Sequence, residues 1–194
     1  LLPRIERFQA AWPETDLRLD TSLKPVDFVA QRIDVGVRYG RGQWPGLAAE
    51  KLMDEEVYPV CAPALLTTAT LQAPGDLRGQ VLIHDQSVDT STGFASWQAW
   101  LRHAGVQGVP TDRGLRINNS AAVLQAAIDG QGVALARSVM AHDDLAAGRL
   151  VRLFPQVRLE SALAYYVVYR PECIAQPKVA AFRDWLLREA LGPV

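Results

Sequence analysis

Cysteine is scarce in this chain. Cys61 and Cys173 stand far apart in 194 residues and form no CxxC pair, so a disulfide framework is excluded and both thiols read as small buried hydrophobes. With only His84, His103 and His142 to join them, and no ligand spacing among these, no metal site is expected. A basic excess is also missing. Lys plus Arg number 20 against 21 Asp plus Glu, a net charge of −1, so this segment does not have the electrostatic footprint of a surface that wraps nucleic acid. No apolar run is long enough for a membrane span: the longest uncharged stretch, residues 57–75, is broken by Pro59, Pro63 and Pro74. The opening residues LLPRIERFQAAW lack the apolar core and small-residue cleavage site of a secretory signal. Internal repeats, low-complexity tracts, GxGxxG and GxxxxGK[ST] are all absent, and no nucleotide cofactor is expected.

What is present is ordinary globular material: 49% apolar and 21% charged residues, enough for one large α/β domain or two small lobes. Ile5, Phe8 and Trp12 recur on one helical face that Pro13 stops. DLRLDTS (16–22) alternates like a half-buried strand, Pro25 suits the first turn of a helix over 26–32, and DVGVRYG (34–40) reads as the next strand. Strand, helix, strand with short connections implies a parallel sheet. Two extended stretches follow, 48–56 and 57–63. The second, VYPVCAP, holds two prolines and cannot be a regular central strand, so it reads as a strand leaving its sheet.

The α/β pattern then restarts. Strands are expected at 81–84, 114–118, 133–136 and 150–154. Helices are expected on the Phe94, Trp97, Trp100, Leu101 stripe, over 121–129 with Asn119 or Ser120 as N-cap, and around 142–147. A long extended run, 159–169, precedes a closing amphipathic helix with Val179, Phe182, Trp185, Leu186 and Leu187. Two restarts, each about half the chain, suggest two lobes.

Few residues carry chemistry. His84-Asp85 follows a strand and could pair a base with its orienting carboxylate, but no GxSxG elbow accompanies it. The acidic run Asp54-Glu55-Glu56 cannot chelate a metal easily, since neighbours on a strand point to opposite faces, and both it and Asp143-Asp144 read as solvated. Gly40-Arg41-Gly42 reads as a tight loop. Three places stand out: Thr21-Ser22, Tyr39, and Asn118-Asn119-Ser120, each at a strand end, the last opening a helix. Ligands of open α/β sheets sit beyond the carboxyl ends of strands, and helix N-termini favour carboxylates. Hydroxyls and amides without an acid–base pair suit binding better than catalysis.

LLPRIERFQAAWPETDLRL, VDFVAQRIDVGVRYGRGQWPGL, EEVYPVCAPALL, NNSAAVLQAAIDGQGVALARS, DDLAAGRLVRLF and KVAAFRDWLL together resemble the effector-binding domain of LysR-type transcriptional regulators, with the glycine-cleavage-activator-like subgroup nearest. The resemblance runs in order along essentially the whole chain. It implies an α/β fold of two Rossmann-like lobes joined by two crossover strands, type II periplasmic-binding-protein-like: residues 1–60 plus 161–194 as lobe one, 61–160 as lobe two.

The resemblance also implies an effector-binding and dimerisation role. The effector would be a small carboxylate-bearing metabolite held between the lobes by Thr21, Ser22, Tyr39, Asn118, Asn119, Ser120, Tyr165 and Arg137. No catalytic residue is implied. A homodimer is expected, a tetramer in the full-length regulator. DNA would be reached only through a winged helix-turn-helix absent from this chain, no membrane would be touched, and the location would be cytoplasmic. The family's first strand, expected before Leu1, is absent as well. The rival readings are a solute-binding receptor of a transport system with the same architecture, and an enzyme built on His84 and Asp85.

Overall fold

The computed structural model describes residues 1–22, 26–87 and 93–192. Backbone contacts divide the chain into two units, residues 1–54 with 164–194 and residues 55–163.

In the first unit, helix α1 (Ile5–Ala11) follows a single 3-10 turn at Leu2–Arg4 and ends where the Trp12 N–H closes on the Phe8 carbonyl, one residue before Pro13. The strands β1 (Val35–Gly40) and β2 (Ala48–Met53) flank β9 (Ala164–Tyr169), both antiparallel to it. Helix α6 (Pro177–Leu191) packs Val179, Ala181, Trp185 and Leu186 with Phe8, Val167, Tyr169 and Cys173. Arg4 and Arg7 of the first turns both reach Glu189 of α6, at 3.6 and 3.2 Å.

Three sequence expectations change here. Residues 15–22 form no strand and no other regular element: among the described residues nothing ladders with them, and a strand needs a neighbour for its N–H and C=O groups. Residues 28–32 make a turn instead of a helix. The Asp27 carboxylate caps the N–H groups of Val29 and Ala30, and Arg32 takes a positive φ of 53°, which ends any helical run. Pro25 lies outside the described residues. The sheet is consequently antiparallel, because β1 takes its partner from the far end of the chain and not from residues 16–22.

The second unit is a mixed sheet in the order β5-β4-β6-β3-β7, with β8 also on β3. Its strands are β3 (Glu56–Cys61), β4 (Leu82–Asp85), β5 (Leu115–Ile117), β6 (Val133–Arg137), β7 (Val151–Arg152) and β8 (Leu159–Glu160). The parallel pairs are β4·β5 and β4·β6. Consecutive residues face opposite sides, as a period of two demands. Ile83, Ala134 and Val60 pack under α4 (Ser120–Ile128) and α5 (Ser138–Ala146). Leu82, Val133 and Cys61 pack with Trp97, Trp100 and Leu101 of α3 (Trp97–His103). The tryptophan stripe is core, as its spacing predicts, and Trp97 Nε1 donates to the Ile83 carbonyl at 2.9 Å. A short helix, α2 (Leu65–Thr68), leads out of β3.

The proline-bearing stretch is the main surprise, for β3 is a central strand. Pro59 stands opposite Leu135 of β6, and its carbonyl accepts from Leu153 N–H at 2.9 Å on the other side. A residue's N and C=O point the same way in a strand, so the missing N–H faces the side where β3's partner changes from β8 (residues 56–57) to β7 (residues 60–61). The ladder to β6 loses nothing there. The extended run 159–169 likewise divides into β8 and β9, interrupted at residues 161–163.

Candidate effector-binding site

The carboxyl ends of β4, β5 and β6 converge on the first turn of α4, and each end contributes a polar group. Asp85 closes β4. Its side chain accepts from Ser87 N–H at 2.8 Å, the local turn that an Asp two residues before a Ser favours, and from Ser87 Oγ. After β5, Asn119 caps α4, its Oδ1 accepting from Ala122 N–H at 3.0 Å. Ser120, the first helical residue, donates its hydroxyl to Asp85 Oδ2 and lies 2.9 Å from Ser87 Oγ. Arg137, the last residue of β6, donates from Nη2 to Ser120 Oγ at 3.0 Å, with Met140 Sδ 2.7 Å from the same nitrogen. Its guanidinium stands 5.9 Å from the Phe94 ring centroid, at the outer limit of cation–π attraction.

The outcome is an opposed pair of charges, Asp85 and Arg137, bridged through one half-buried hydroxyl. Such a cluster holds acceptors and a fork of donors in one place. It can bind a ligand carrying both polarities, and its guanidinium suits a carboxylate. His84 and Asp85 are adjacent on β4 and point to opposite faces, with His84 Nε2 bonded to the Arg113 carbonyl at 2.9 Å. The proposed base and its orienting carboxylate therefore serve unrelated contacts.

Of the residues predicted from sequence, Ser120 and Arg137 meet directly. Asn118 and Asn119 are exposed beside them, with Asn119 committed to capping. In the other unit Tyr39 and Tyr165 are register partners across β1 and β9, with ring centroids 4.8 Å apart, while Thr21 and Ser22 lie exposed in the irregular segment and end no strand. Sequence reasoning missed Ser87, Phe94 and the role of Asp85 in this cluster. The Asp-x-Ser spacing directly after a strand was the available signal.

It also misread Glu55, which is buried, not solvated, at 4% exposure. The N-cap position of α5 is Arg137, which supplies no side-chain cap. Glu55 fills that role from 84 residues away: its Oε1 accepts from Val139 N–H at 3.0 Å and from the Ser138 hydroxyl, while Ser138 Oγ accepts from Glu56 N–H at 3.1 Å. A carboxylate at a helix N-terminus is favoured both by the orphan N–H groups and by the helix dipole. Of the other acidic residues, Asp54 pairs with Lys51 and Asp144 with Arg149. Among the described residues no cluster of His, Cys, Asp and Glu could hold a metal ion, and no helix is long and apolar enough to cross a membrane.

Comparison with known proteins accords with this architecture. Residues 1–191 match the family model described as the LysR substrate binding domain. The Escherichia coli K12 glycine cleavage system transcriptional activator is 43% identical over 191 residues, covering 98% of this chain and 60% of that protein. The Pseudomonas aeruginosa transcriptional activator AmpR is 34% identical over 192 residues, covering 98% and 61%. The solved effector domain of that AmpR is 32% identical, with a TM-score of 0.80 over 97% of this chain and 87% of that one. The chain thus spans about three fifths of the length of these curated relatives. They are transcriptional regulators, neither transport receptors nor enzymes, and the solved AmpR effector domain shares this mixed-sheet α/β fold of the type II periplasmic-binding-protein kind. The chain belongs to the LysR substrate-binding domain family.

Proposed function

We propose that this chain is the sensing part of a LysR-type transcriptional regulator acting in the cytoplasm as an oligomer. It binds a small carboxylate-bearing metabolite through Arg137, Ser120 and the neighbouring Asn118 and Asn119. The same proposal assigns Thr21, Ser22, Tyr39 and Tyr165 to effector contact, and assigns DNA binding to the part of the regulator outside this chain. The observation that carries it is the Asp85–Ser120–Arg137 cluster at the strand ends, at the start of a nine-residue helix, in a chain matched along its length by a ligand-sensing family. The effector acts by its unequal affinity for two states of the regulator, since a ligand that binds both equally shifts nothing.

The test is a thermal-shift screen against amino acids, organic acids, aromatic acids and peptidoglycan fragments. A compound that binds only the native state raises the melting temperature by mass action. The expected result is a saturable hit confined to carboxylate-bearing compounds, weakened at least tenfold by Arg137→Gln and by Ser120→Ala. A hit that both variants bind with unchanged affinity removes the cluster from the site.

A further inference from the structure

We propose that Glu55 is a positioning residue that links the strand-end cluster to the two places where the chain passes between its units. Glu55 opens the second unit and Leu163 closes it. Among the described residues it is the one charged side chain that is fully buried. A buried carboxylate is costly unless charge-assisted hydrogen bonds hold it, so its retention at this point calls for a purpose beyond packing.

The hydrogen bonds supply that purpose. Helix α5 begins directly after β6, where a Ser, Thr, Asp or Asn would ordinarily cap it. That position holds Arg137, whose side chain is committed to Ser120. Capping is delegated to Glu55, and the delegation ties three segments together. The Glu55 carboxylate takes Ser138 Oγ and Val139 N–H. Ser138 Oγ takes Glu56 N–H in return. The Glu55 carbonyl accepts Ser161 N–H at 2.8 Å, so the second passage is held by the residue that begins the first. Since Ser138 follows Arg137 covalently, a continuous path runs Asp85, Ser120, Arg137, Ser138, Glu55, Ser161, all inside one unit. A ligand that draws on the Arg137 guanidinium pulls on the backbone at residues 137–138 and through it on the clasp at Glu55. The idea extends the proposed function by naming how occupancy of that site reaches the crossover segments.

The test needs no ligand. In the 194-residue chain, Asp85→Asn keeps the side chain's shape and loosens Ser120, and amide hydrogen exchange is read by NMR at Ser161 and Val139 against the Trp100 amide of α3. Exchange at both sites is expected to accelerate at least threefold relative to Trp100. That increment disappears in Ser138→Ala and Glu55→Gln backgrounds and returns in Ser138→Thr, which restores the hydroxyl. Unchanged exchange at Ser161 and Val139, with the Arg137 Nε–Hε resonance displaced, overturns the proposal. So does an increment that survives Ser138→Ala. If Asp85→Asn fails to fold, Ser120→Ala gives the same readout. A ligand screen without hits would remove the effector reading and leave this linkage, whereas unchanged exchange would remove the linkage and leave the effector reading.

Discussion

The Phe8 ring meets Phe182 edge-on, with centroids 4.9 Å apart and planes at 85°, and Trp185 lies 5.4 Å away on the same helix. Phe8 is completely buried, whereas Trp12, one turn further along the same predicted stripe, is 42% exposed. The stripe therefore splits into an inner anchor and an outer residue. Phe8→Ala is expected to destabilise the chain by about 3–5 kcal/mol through lost burial and a cavity. Trp12→Ala is expected to cost no more than about 1 kcal/mol. Urea unfolding of both variants checks the contrast, and equal losses would place Trp12 in the core as well.

Acid stability depends on a second cluster of the first unit. Tyr169 Oη donates to Glu50 Oε1 at 2.6 Å and Arg183 Nη1 to the same oxygen at 3.1 Å, joining β9, β2 and α6. The Tyr169 hydroxyl, and then Arg183, hold the Glu50 carboxyl below its ordinary value, against the opposing effect of burial. A carboxyl lowered on folding contributes stability above its unfolded value, about 4.3, and that contribution is lost as pH falls through its folded value. Tyr169→Phe should therefore cost about 1 kcal/mol near neutrality. The difference from the parent should shrink below about pH 4.3 as Glu50 protonates in both. Urea midpoints from pH 3 to 7 measure this, and a gap that widens in acid would contradict it.

Burial pushes the Cys61 thiol up to about 11. At pH 8 roughly one molecule in a thousand carries the thiolate that alkylating reagents need. Cys173 is buried too. Neither thiol is expected to react with iodoacetamide in the native state, and both should react once urea unfolds the chain. A thiol raised on folding favours the native state below its unfolded value, about 8.5, and that advantage declines as pH rises from there toward 11. Stability should therefore fall on the alkaline side. Rapid labelling of Cys61 at pH 8 without unfolding would disprove its burial.

Sequence patterns served well wherever a segment's environment was local. The α3 tryptophan stripe, the β4, β5 and β6 strand ends and the Asn119 cap all follow from spacing and capping chemistry read within a few residues. They served badly where the partner was distant. Residues 16–22 alternate correctly yet ladder with nothing described, and β1 pairs instead with residues 164–169. Pro59 is tolerated in a central strand only because β8 gives way to β7 on its blank side, which no local rule reveals. Glu55 looked like one acid in a solvated run because its partners, Ser138 and Val139, lie more than 80 residues away. The cluster itself was half legible: Ser120 and Arg137 stand at strand ends, but their shared bond with Asp85 is a fact of the folded sheet.

Asn119 has two roles to separate, helix cap and proposed effector contact. Its Oδ1 satisfies one of the orphan N–H groups of α4, so Asn119→Ala should cost about 1 kcal/mol of stability with or without ligand. Asn119→Asp retains an acceptor at that position and adds a negative charge favoured by the helix dipole, so its melting temperature should equal or exceed the parent's. The same charge stands beside the place proposed for the ligand's carboxylate. If Asn119 contacts the effector, the Asp variant should be stable and yet bind at least tenfold more weakly. If Asn119 only caps, the Asp variant should bind as the parent does, and the Ala variant should lose stability without losing affinity. Thermal unfolding and ligand titration on the same two variants therefore distinguish the cap from the contact.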